Sequence, residues 1–219
     1  MTIVLALTVL TVYHKETVET VTTDHYRRHR LKPVLMRNSA LDRSESESLN
    51  MYRIGIGNDT HRLVEGRPLL LGGVHVASPR GGEGHSDADA LLHAIADAIL
   101  GALGEGDLGV HFPVSDPQWK DADSLQLLAR VVWLAHERGS SIVNVDATVM
   151  LESPKVRPYV TSMRENIAHV LGVDPSVVSV KAKTGEGMDA VGRGEAVGAQ
   201  AVVLITAGKP KQLGLGETV

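Results

Sequence analysis

Two separate segments of the sequence contain side chains that could bind one metal ion together. The segment GIGNDTH places Asp59 and His61 two residues apart near a predicted strand end, so the carboxylate and the imidazole point to the same side. His93 lies in a predicted helix, with Asp89 one turn before it and Asp97 one turn after it. We interpret Asp59, His61 and His93 as ligands of a catalytic zinc ion with an open fourth position, and Asp89 or Asp97 as the acceptor that orients the His93 ring.

Each part of this triad also has a simpler interpretation. An Asp-x-His at a strand end is often a turn with a solvated histidine. Acidic residues flanking a histidine on a helix can form an exposed, charged face. The hydrophobic residues of the same segment already mark a buried side, which favours a ligand role for His93 over the exposed face.

Two further polar segments are suited to phosphate groups. His85 and Ser86 precede the helix, where free backbone N–H groups and the helix dipole favour anions. In KAKTGEG, a predicted strand ends in Lys183, Thr184 and Glu186. The first two can contact phosphate oxygens, and Glu186 could hold Mg²⁺ or Mn²⁺. The segment is not a Walker loop. Together with the triad, these groups predict phosphoryl chemistry.

The elements that must position these groups are strands and helices in mixed order. The hydrophobic periodicity predicts one α/β domain over residues 51–207, built as a single-layer mixed sheet packed with helices. The segment at 104–119, rich in glycine, proline and acids, is predicted to be an ordered surface loop or lid. The predicted strands are 52–57, 68–76 as a hairpin, 141–151, 177–184 and 196–205, and the predicted helices are 86–104, 124–138 and 158–171.

Composition excludes several function classes. The 219 residues are 43% hydrophobic and 22% charged, with a net charge of −4. This balance predicts neither a nucleic-acid nor a membrane partner. There is no cysteine, which excludes disulfides, thiolate zinc sites and iron–sulfur clusters. No apolar run reaches the roughly 18 residues of a membrane span.

The first fifty residues differ in composition from the rest, because all 22 glycines follow residue 50. We predict that residues 1–50 are an N-terminal extension, disordered or a leader, that does not contribute to the fold, with Met51 as a possible working start. Residues 208–219 are predicted to be a C-terminal tail. A secretory signal would need a basic n-region, and an organelle transit peptide would contain few acids. The predicted location is the cytoplasm in a bacterium, or the plastid if the extension is a transit peptide.

Seven motifs occur in an order and spacing that resemble one enzyme family. They are RIGIGNDTHRL, LGGV, GHSDADALLHAIADAILGALGEGDLG, HFPVSDP, NVDATVMLESPK, VKAKTGEG and GRGEA, between about Arg53 and Ile205. This part of the chain resembles the 2-C-methyl-D-erythritol 2,4-cyclodiphosphate synthases of the non-mevalonate isoprenoid pathway. The resemblance implies a homotrimer of α/β subunits with active sites between neighbours. It also implies a cytidylyl substrate, 4-diphosphocytidyl-2-C-methyl-D-erythritol 2-phosphate, which is cyclised with loss of CMP.

The resemblance also implies roles for individual residues. The three triad residues match the family's zinc ligands, and Glu186 matches the carboxylate on a second divalent ion. His85 and Thr184 match residues that stabilise the transition state, and Ser86 lies beside them on phosphate. The implied substrate contacts are Asp107 and Gly109 to the ribose, Lys155 within 151–157 to the cytidine, the loop from Phe112 to Asp116 over the methylerythritol, and Arg193 near the trimer axis.

Three positions depart from the family pattern. Val114 stands where the loop usually has Asp, Gly187 where Lys usually follows the Glu, and Ala190 where many members have an aromatic residue. The first two bear on how tightly substrate is held, and the third on any isoprenoid diphosphate site in the trimer channel. A zinc phosphodiesterase or nucleotidase and a catalytically silent binding module are the alternative functions.

Overall fold

The computed structural model describes residues 51–207. The predicted N-terminal extension and C-terminal tail lie outside these residues. Within the described range, no helix has both the length and the apolar character needed to cross a membrane.

The described chain forms a mixed α/β fold, as predicted. Five strands form one sheet in the order β4-β1-β7-β5-β6, in which β5 and β6 are parallel and the other neighbours antiparallel, and β2 and β3 form a separate hairpin. In chain order the elements are β1 (Tyr52–Glu65), β2 (Leu69–Leu71), β3 (Val74–Val76), β4 (Arg80–Glu83), α1 (Ala90–Leu103), α2 (Leu108–His111), α3 (Ser124–Glu137), β5 (Ile142–Met150), α4 (Val160–Leu171), β6 (Val178–Lys183) and β7 (Ala196–Thr206).

Three details of the predicted secondary structure are wrong: the end of β1, the start of α1 and the absence of a helix from the segment at 104–119. Strand β1 continues to Glu65, so Asp59 and His61 lie inside a strand and not at its end. Helix α1 begins at Ala90, four residues after Ser86. The segment predicted as a loop contains the short helix α2, which Asp107 caps by accepting a hydrogen bond from the backbone N–H of Val110 at 3.1 Å.

Helix α1 lies unusually close to strand β1. Alternate residues of β1 face the helix, and two of them are Gly55 and Gly57. A Cβ atom on Gly55 would lie 1.8 Å from the carbonyl oxygen of Ala98, and one on Gly57 would lie 2.1 Å from that of Ala94. Any side chain at either glycine would therefore overlap the helix backbone. The two glycines allow the backbones to pack directly against each other.

This contact sets the register between the two metal-binding segments. Two residues of strand advance the chain by about 6.6 Å and four residues of helix by about 6 Å, so each inward position of β1 meets one turn of α1. Because Gly55 faces Ala98 and Gly57 faces Ala94, the next inward position, Asp59, reaches the first turn of α1. His93 lies in that turn.

The buried core lies between one face of the sheet and helices α1, α3 and α4. The helices contribute large buried side chains such as Ile95, Leu128 and Ile167, and β7 contributes Val203. On the opposite face of the sheet, described side chains such as those of Ile54 and Ile56 are exposed. Alternation therefore produces a strand with one face in the core and one face exposed.

Asp89 caps the N-terminus of α1. Its carboxylate is completely buried and accepts hydrogen bonds from the backbone N–H groups of Leu92, Gly72 and Gly73 at 3.0, 2.9 and 2.7 Å. Burial raises the pKa of Asp89, although these three donors act in the opposite direction. The carboxylate thus joins the N-terminus of α1 to the turn between β2 and β3.

We predict that Gly57→Ala lowers the free energy of unfolding by about 1–3 kcal/mol, because the new methyl group meets a backbone carbonyl that can move only with the whole helix. It should also weaken metal binding, since His93 moves with α1. Urea unfolding and zinc titration would measure both effects.

Gly101→Ala is the matched control. Its Cβ would meet only the Ile56 carbonyl oxygen at an ordinary 3.7 Å, and alanine is favoured within a helix by roughly 1 kcal/mol. We expect this variant to be at least as stable as the parent. Equal stability of the Gly57 and Gly101 variants would contradict the proposed importance of close packing.

Candidate metal centre and active site

Asp59, His61 and His93 converge at one point between β1 and α1, as predicted. The Asp59 Oδ2 atom lies 2.8 Å from His61 Nε2 and 2.8 Å from His93 Nδ1, and these two nitrogens lie 3.2 Å apart. Between 76% and 88% of each side chain is buried. Among residues 51–207, this is the group of His, Asp or Glu residues whose ligand atoms lie close enough together to hold a metal ion.

The donor set fits a divalent ion. Two ligand atoms on a tetrahedral zinc ion lie about 3.3 Å apart, given bonds of about 2.0–2.1 Å, and the two ring nitrogens are already at 3.2 Å. Two imidazoles and one carboxylate leave a fourth position for a substrate oxygen or water. The arrangement therefore suits a catalytic site better than a closed structural one.

The electrostatics of the triad favour a positive charge at this point. Burial alone would raise the pKa of Asp59, but hydrogen bonds and positive charge from His61 and His93 outweigh it and hold that pKa well below its usual range. Burial alone would lower the pKa of His61, but the Asp59 carboxylate more than compensates and raises it. A divalent ion bound between these ligands would supply positive charge at the point where the Asp59 carboxylate favours it.

Hydrogen bonds at the outer ring nitrogens orient both imidazoles. His61 Nδ1 donates to the backbone carbonyl oxygen of Glu83 at 3.0 Å, which directs its Nε2 toward the centre. His93 Nε2 donates to Ser124 Oγ at 2.9 Å, and the Ser124 hydroxyl donates to the Asp87 carboxylate. These bonds assign the tautomers in which Nε2 of His61 and Nδ1 of His93 face the metal.

The prediction that Asp89 or Asp97 orients His93 is wrong. Asp89 is occupied by three backbone donors, as described above. Asp97 accepts the backbone N–H of Leu108 at 2.8 Å and so fixes the start of α2. Helical spacing placed both carboxylates near His93, but their side chains bond to the backbone of adjacent segments. The groups that contact His93 Nε2 are the hydroxyls of Ser124 at 2.9 Å and Ser86 at 3.2 Å. Ser124 is 31 residues away in the sequence, so only the folded arrangement of α1 and α3 reveals it.

The triad forms one wall of a cavity of about 330 Å³. The cavity is also lined by five of the predicted site residues and by Val114 and Trp119, of which Trp119 was not predicted. Those five residues are His85, Ser86, Asp107, Gly109 and Phe112. Asp116 is not among the lining residues and instead caps a turn through the backbone N–H of Gln118 at 3.0 Å.

The helix N-terminus is not the phosphate-binding feature that we expected. The Asp89 carboxylate occupies the position where an anion would bind, and Ser86 lies upstream of the helix. Ser86 is buried, and its Oγ atom lies 3.2 Å from His93 Nε2 and accepts the Ala88 N–H at 3.3 Å. Any contact of His85 or Ser86 with phosphate must therefore come from their positions on the cavity wall.

Two residues of the predicted Lys183, Thr184 and Glu186 cluster lie in a separate cavity, together with the predicted cytidine contact Lys155. Lys155, Lys183 and Thr184 line a space of about 260 Å³ that shares no lining residue with the first cavity. The Thr184 hydroxyl donates to the Glu186 carboxylate. Within one chain, the structure thus does not bring these residues together with the metal triad.

Two remaining residues lie in the glycine-rich segment before β7. Arg193 forms an exposed ion pair with Glu195 at 3.0 Å and lines neither of these cavities. Gly187 has a φ angle of +75°, a conformation in which a lysine side chain would be strained. A glycine in place of the family's lysine therefore suits the backbone conformation at position 187.

We predict that Ser124→Ala weakens zinc binding by about 10–100-fold while the fold is retained, because His93 loses the hydrogen bond that orients its ring. Competition with a chromogenic chelator would measure the affinity, and circular dichroism the fold. Ser162→Ala, at an exposed position on α4, should leave the affinity unchanged. An unchanged affinity would show that the Ser124 hydroxyl is not required to orient the ring while Ser86 Oγ lies 3.2 Å from the same nitrogen.

The sequence of the described domain matches a known protein family. Residues 52–206 match the model of the YgbB family. The 2-C-methyl-D-erythritol 2,4-cyclodiphosphate synthase of Symbiobacterium thermophilum is 60% identical over 152 residues, which cover 69% of this chain and 97% of the relative. The enzyme of the same name from Salinibacter ruber is 61% identical over 153 residues, covering 70% of this chain and 98% of the relative.

A solved structure supports the same relationship. The CDP-bound form of 2C-methyl-D-erythritol-2,4-cyclodiphosphate synthase is 37% identical, with a TM-score of 0.65, and the match covers 70% of this chain and 99% of that chain. The chain therefore belongs to the YgbB family, together with the 2-C-methyl-D-erythritol 2,4-cyclodiphosphate synthases.

Proposed function

We propose that this protein cyclises 4-diphosphocytidyl-2-C-methyl-D-erythritol 2-phosphate to 2-C-methyl-D-erythritol 2,4-cyclodiphosphate and releases CMP. The observation that carries the proposal is the Asp59, His61 and His93 triad at the wall of an open cavity. Relatives named 2-C-methyl-D-erythritol 2,4-cyclodiphosphate synthase match this chain over nearly their whole length. The protein is thus a phosphorus–oxygen lyase of isoprenoid precursor biosynthesis.

The reaction is an intramolecular phosphoryl transfer. An oxygen of the 2-phosphate attacks the β-phosphorus and forms a new P–O bond. The bond from the β-phosphorus to the bridging oxygen breaks, and that oxygen leaves with CMP. Because the attacking phosphate is an anion at neutral pH, the enzyme needs alignment and charge neutralisation more than a strong base.

The chain supplies the metal-binding groups from two places. Asp59, His61 and His93 would hold Zn²⁺, and Glu186 would hold Mg²⁺ or Mn²⁺. When bound, such ions supply positive charge to phosphate oxygens. The existing orientation of His61 by Glu83 and of His93 by Ser124 means that little reorganisation is needed on binding.

Other side chains would bind and orient the substrate. His85, on the wall beside the triad, and Thr184 would donate to the charge that develops in the transition state. Ser86 and Lys183 would contact phosphate oxygens. The remaining proposed contacts are Asp107 and Gly109 to the ribose, Lys155 to the cytidine, Phe112 and Asp116 over the methylerythritol, and Arg193 near the trimer axis.

We further propose that the active unit is a homotrimer, in which each site combines the metal cavity of one subunit with the Thr184 cavity of its neighbour. The separation of the two cavities within one chain supports this arrangement. The face of the sheet opposite the core supports it too. Ile54 and Ile56 there are 71% and 58% exposed, and Val202, paired with Ile56, is 41% exposed. A contiguous apolar patch of this kind is typical of a subunit interface.

Residues 1–50 and 208–219 have no part in this proposal. The catalytic domain would be residues 51–207, located in the cytoplasm of a bacterial cell or in a plastid if the extension acts as a transit peptide.

The proposed reaction is tested by incubating the full chain with the cytidylyl substrate, Zn²⁺ and Mg²⁺. We expect stoichiometric CMP and a cyclic diphosphate, detected by ³¹P NMR. His93→Ala should lose most zinc and activity, whereas His136→Ala, at an exposed position on α3, should keep both. An acyclic phosphate product would indicate a nucleotidase, and the absence of turnover a binding module.

The shared site is tested by mixing two inactive variants. His93→Ala and Thr184→Ala should damage opposite halves of each site, so that each variant alone is inactive. In a mixed cyclic trimer the subunits meet head to tail, and one of the three junctions joins two intact halves. Equal mixing with free exchange should restore roughly a quarter of all sites.

The readout is CMP release after the two variants are refolded together. Native mass spectrometry would establish that mixed trimers have formed. If they have formed and no activity returns, each site lies within a single chain.

A further inference from the structure

A third cavity, of about 240 Å³, adjoins the first and has no role in the reaction above. It is lined by Phe112 and Trp119, by Arg130 and Trp133 from α3, and by His111 at the end of α2. We propose that this cavity is a second ligand site, which binds a small planar aromatic molecule carrying a negative charge.

The aromatic content of the cavity is the first argument. The whole chain contains two tryptophans and one phenylalanine, and all three line this one space. Phe112 and Trp119 pack edge to face, with ring centroids 4.9 Å apart. Trp133 is 53% exposed, an unusual position for such a large apolar side chain. Aromatic walls of this kind favour stacking against a planar ring.

The charge of the cavity is the second argument. The guanidinium carbon of Arg130 lies 5.3 Å from the centre of the Trp133 ring, within the range of a cation–π contact. Among the described residues 51–207, no carboxylate forms an ion pair with Arg130. The seven described residues that line the cavity include no acid. A stacked guanidinium without an acidic partner is suited to a carboxylate, sulfonate or phosphate.

His111 lies at one edge of the cavity. Its Nε2 donates to the backbone carbonyl oxygen of Glu105 at 2.9 Å, which fixes the ring at the edge of the cavity. A ligand that placed its ring against Trp133 would have its anionic group near Arg130, which stacks on the same ring. The volume suits a molecule of one or two rings.

This site is distinct from the metal centre but adjoins it. Phe112 and Trp119 line both cavities, whereas Trp133 and Arg130 line only the second. Trp133 therefore reports on this cavity alone. The proposal does not rest on the proposed function, because binding can be measured without turnover.

The test uses 4-nitrobenzoate, a planar aromatic anion that quenches tryptophan fluorescence. In the Trp119→Phe variant of the full chain, Trp133 is the sole tryptophan. We expect a saturable loss of fluorescence intensity at one site per chain, with the lifetime of the remaining fluorescence unchanged. The uncharged 4-nitrobenzamide, of nearly the same shape, should bind about five-fold more weakly or worse, since it lacks the charge that Arg130 recognises.

Two further substitutions in the same background distinguish binding in this cavity from binding at the metal centre. Arg130→Gln should weaken nitrobenzoate binding about five-fold or more and leave nitrobenzamide binding unchanged. His93→Ala should leave nitrobenzoate binding unchanged, because the metal triad is not part of this site. Circular dichroism would show that both variants are folded.

Three results would each overturn the proposal. One is quenching that rises linearly without saturation, which indicates collision only. Another is equal binding of the anion and the amide, or undiminished binding in Arg130→Gln. The third is loss of binding in His93→Ala, which would place the probe at the metal centre.

Discussion

The direct contact between α1 and β1 is the constraint on which the site depends. Gly55 and Gly57 have no side chain, so the carbonyls of Ala98 and Ala94 lie where Cβ atoms would otherwise be. The near match between two strand residues and one helical turn then brings His93 to Asp59. A larger residue at either glycine would push α1 away from β1 and so move His93 away from Asp59 and His61.

The metal centre in turn joins several parts of the fold. The Glu83 carbonyl on β4 orients His61, and Ser124 at the start of α3 orients His93 with support from Asp87. Asp89 secures the first turn of α1 to the β2–β3 turn. Both histidine ligands thus have a supporting partner on another element, and their geometry is established before any ion binds. Such preorganisation is what a charge-stabilising site requires.

The sequence predicts the ligands better than their supporting contacts. Strand alternation and helical spacing identify Asp59, His61 and His93, since these depend on local periodicity and ligand chemistry. The same spacing favours Asp89 and Asp97 as partners of His93 and is wrong, because both carboxylates bond to backbone groups of other segments. Only tertiary packing brings Ser124 to His93 and Trp119 to the cavity. Local sequence patterns likewise did not predict where β1 ends and where α1 begins.

Anomalous diffraction at the zinc absorption edge, from crystals of the zinc-loaded protein, tests the central claim most directly. The account predicts a peak bounded by Asp59 Oδ2, His61 Nε2 and His93 Nδ1, with the outer nitrogens of both rings still bonded to Glu83 and Ser124. No peak at this position, or zinc bound elsewhere while the triad remains empty, would contradict the claim that packing of α1 on β1 builds the metal centre.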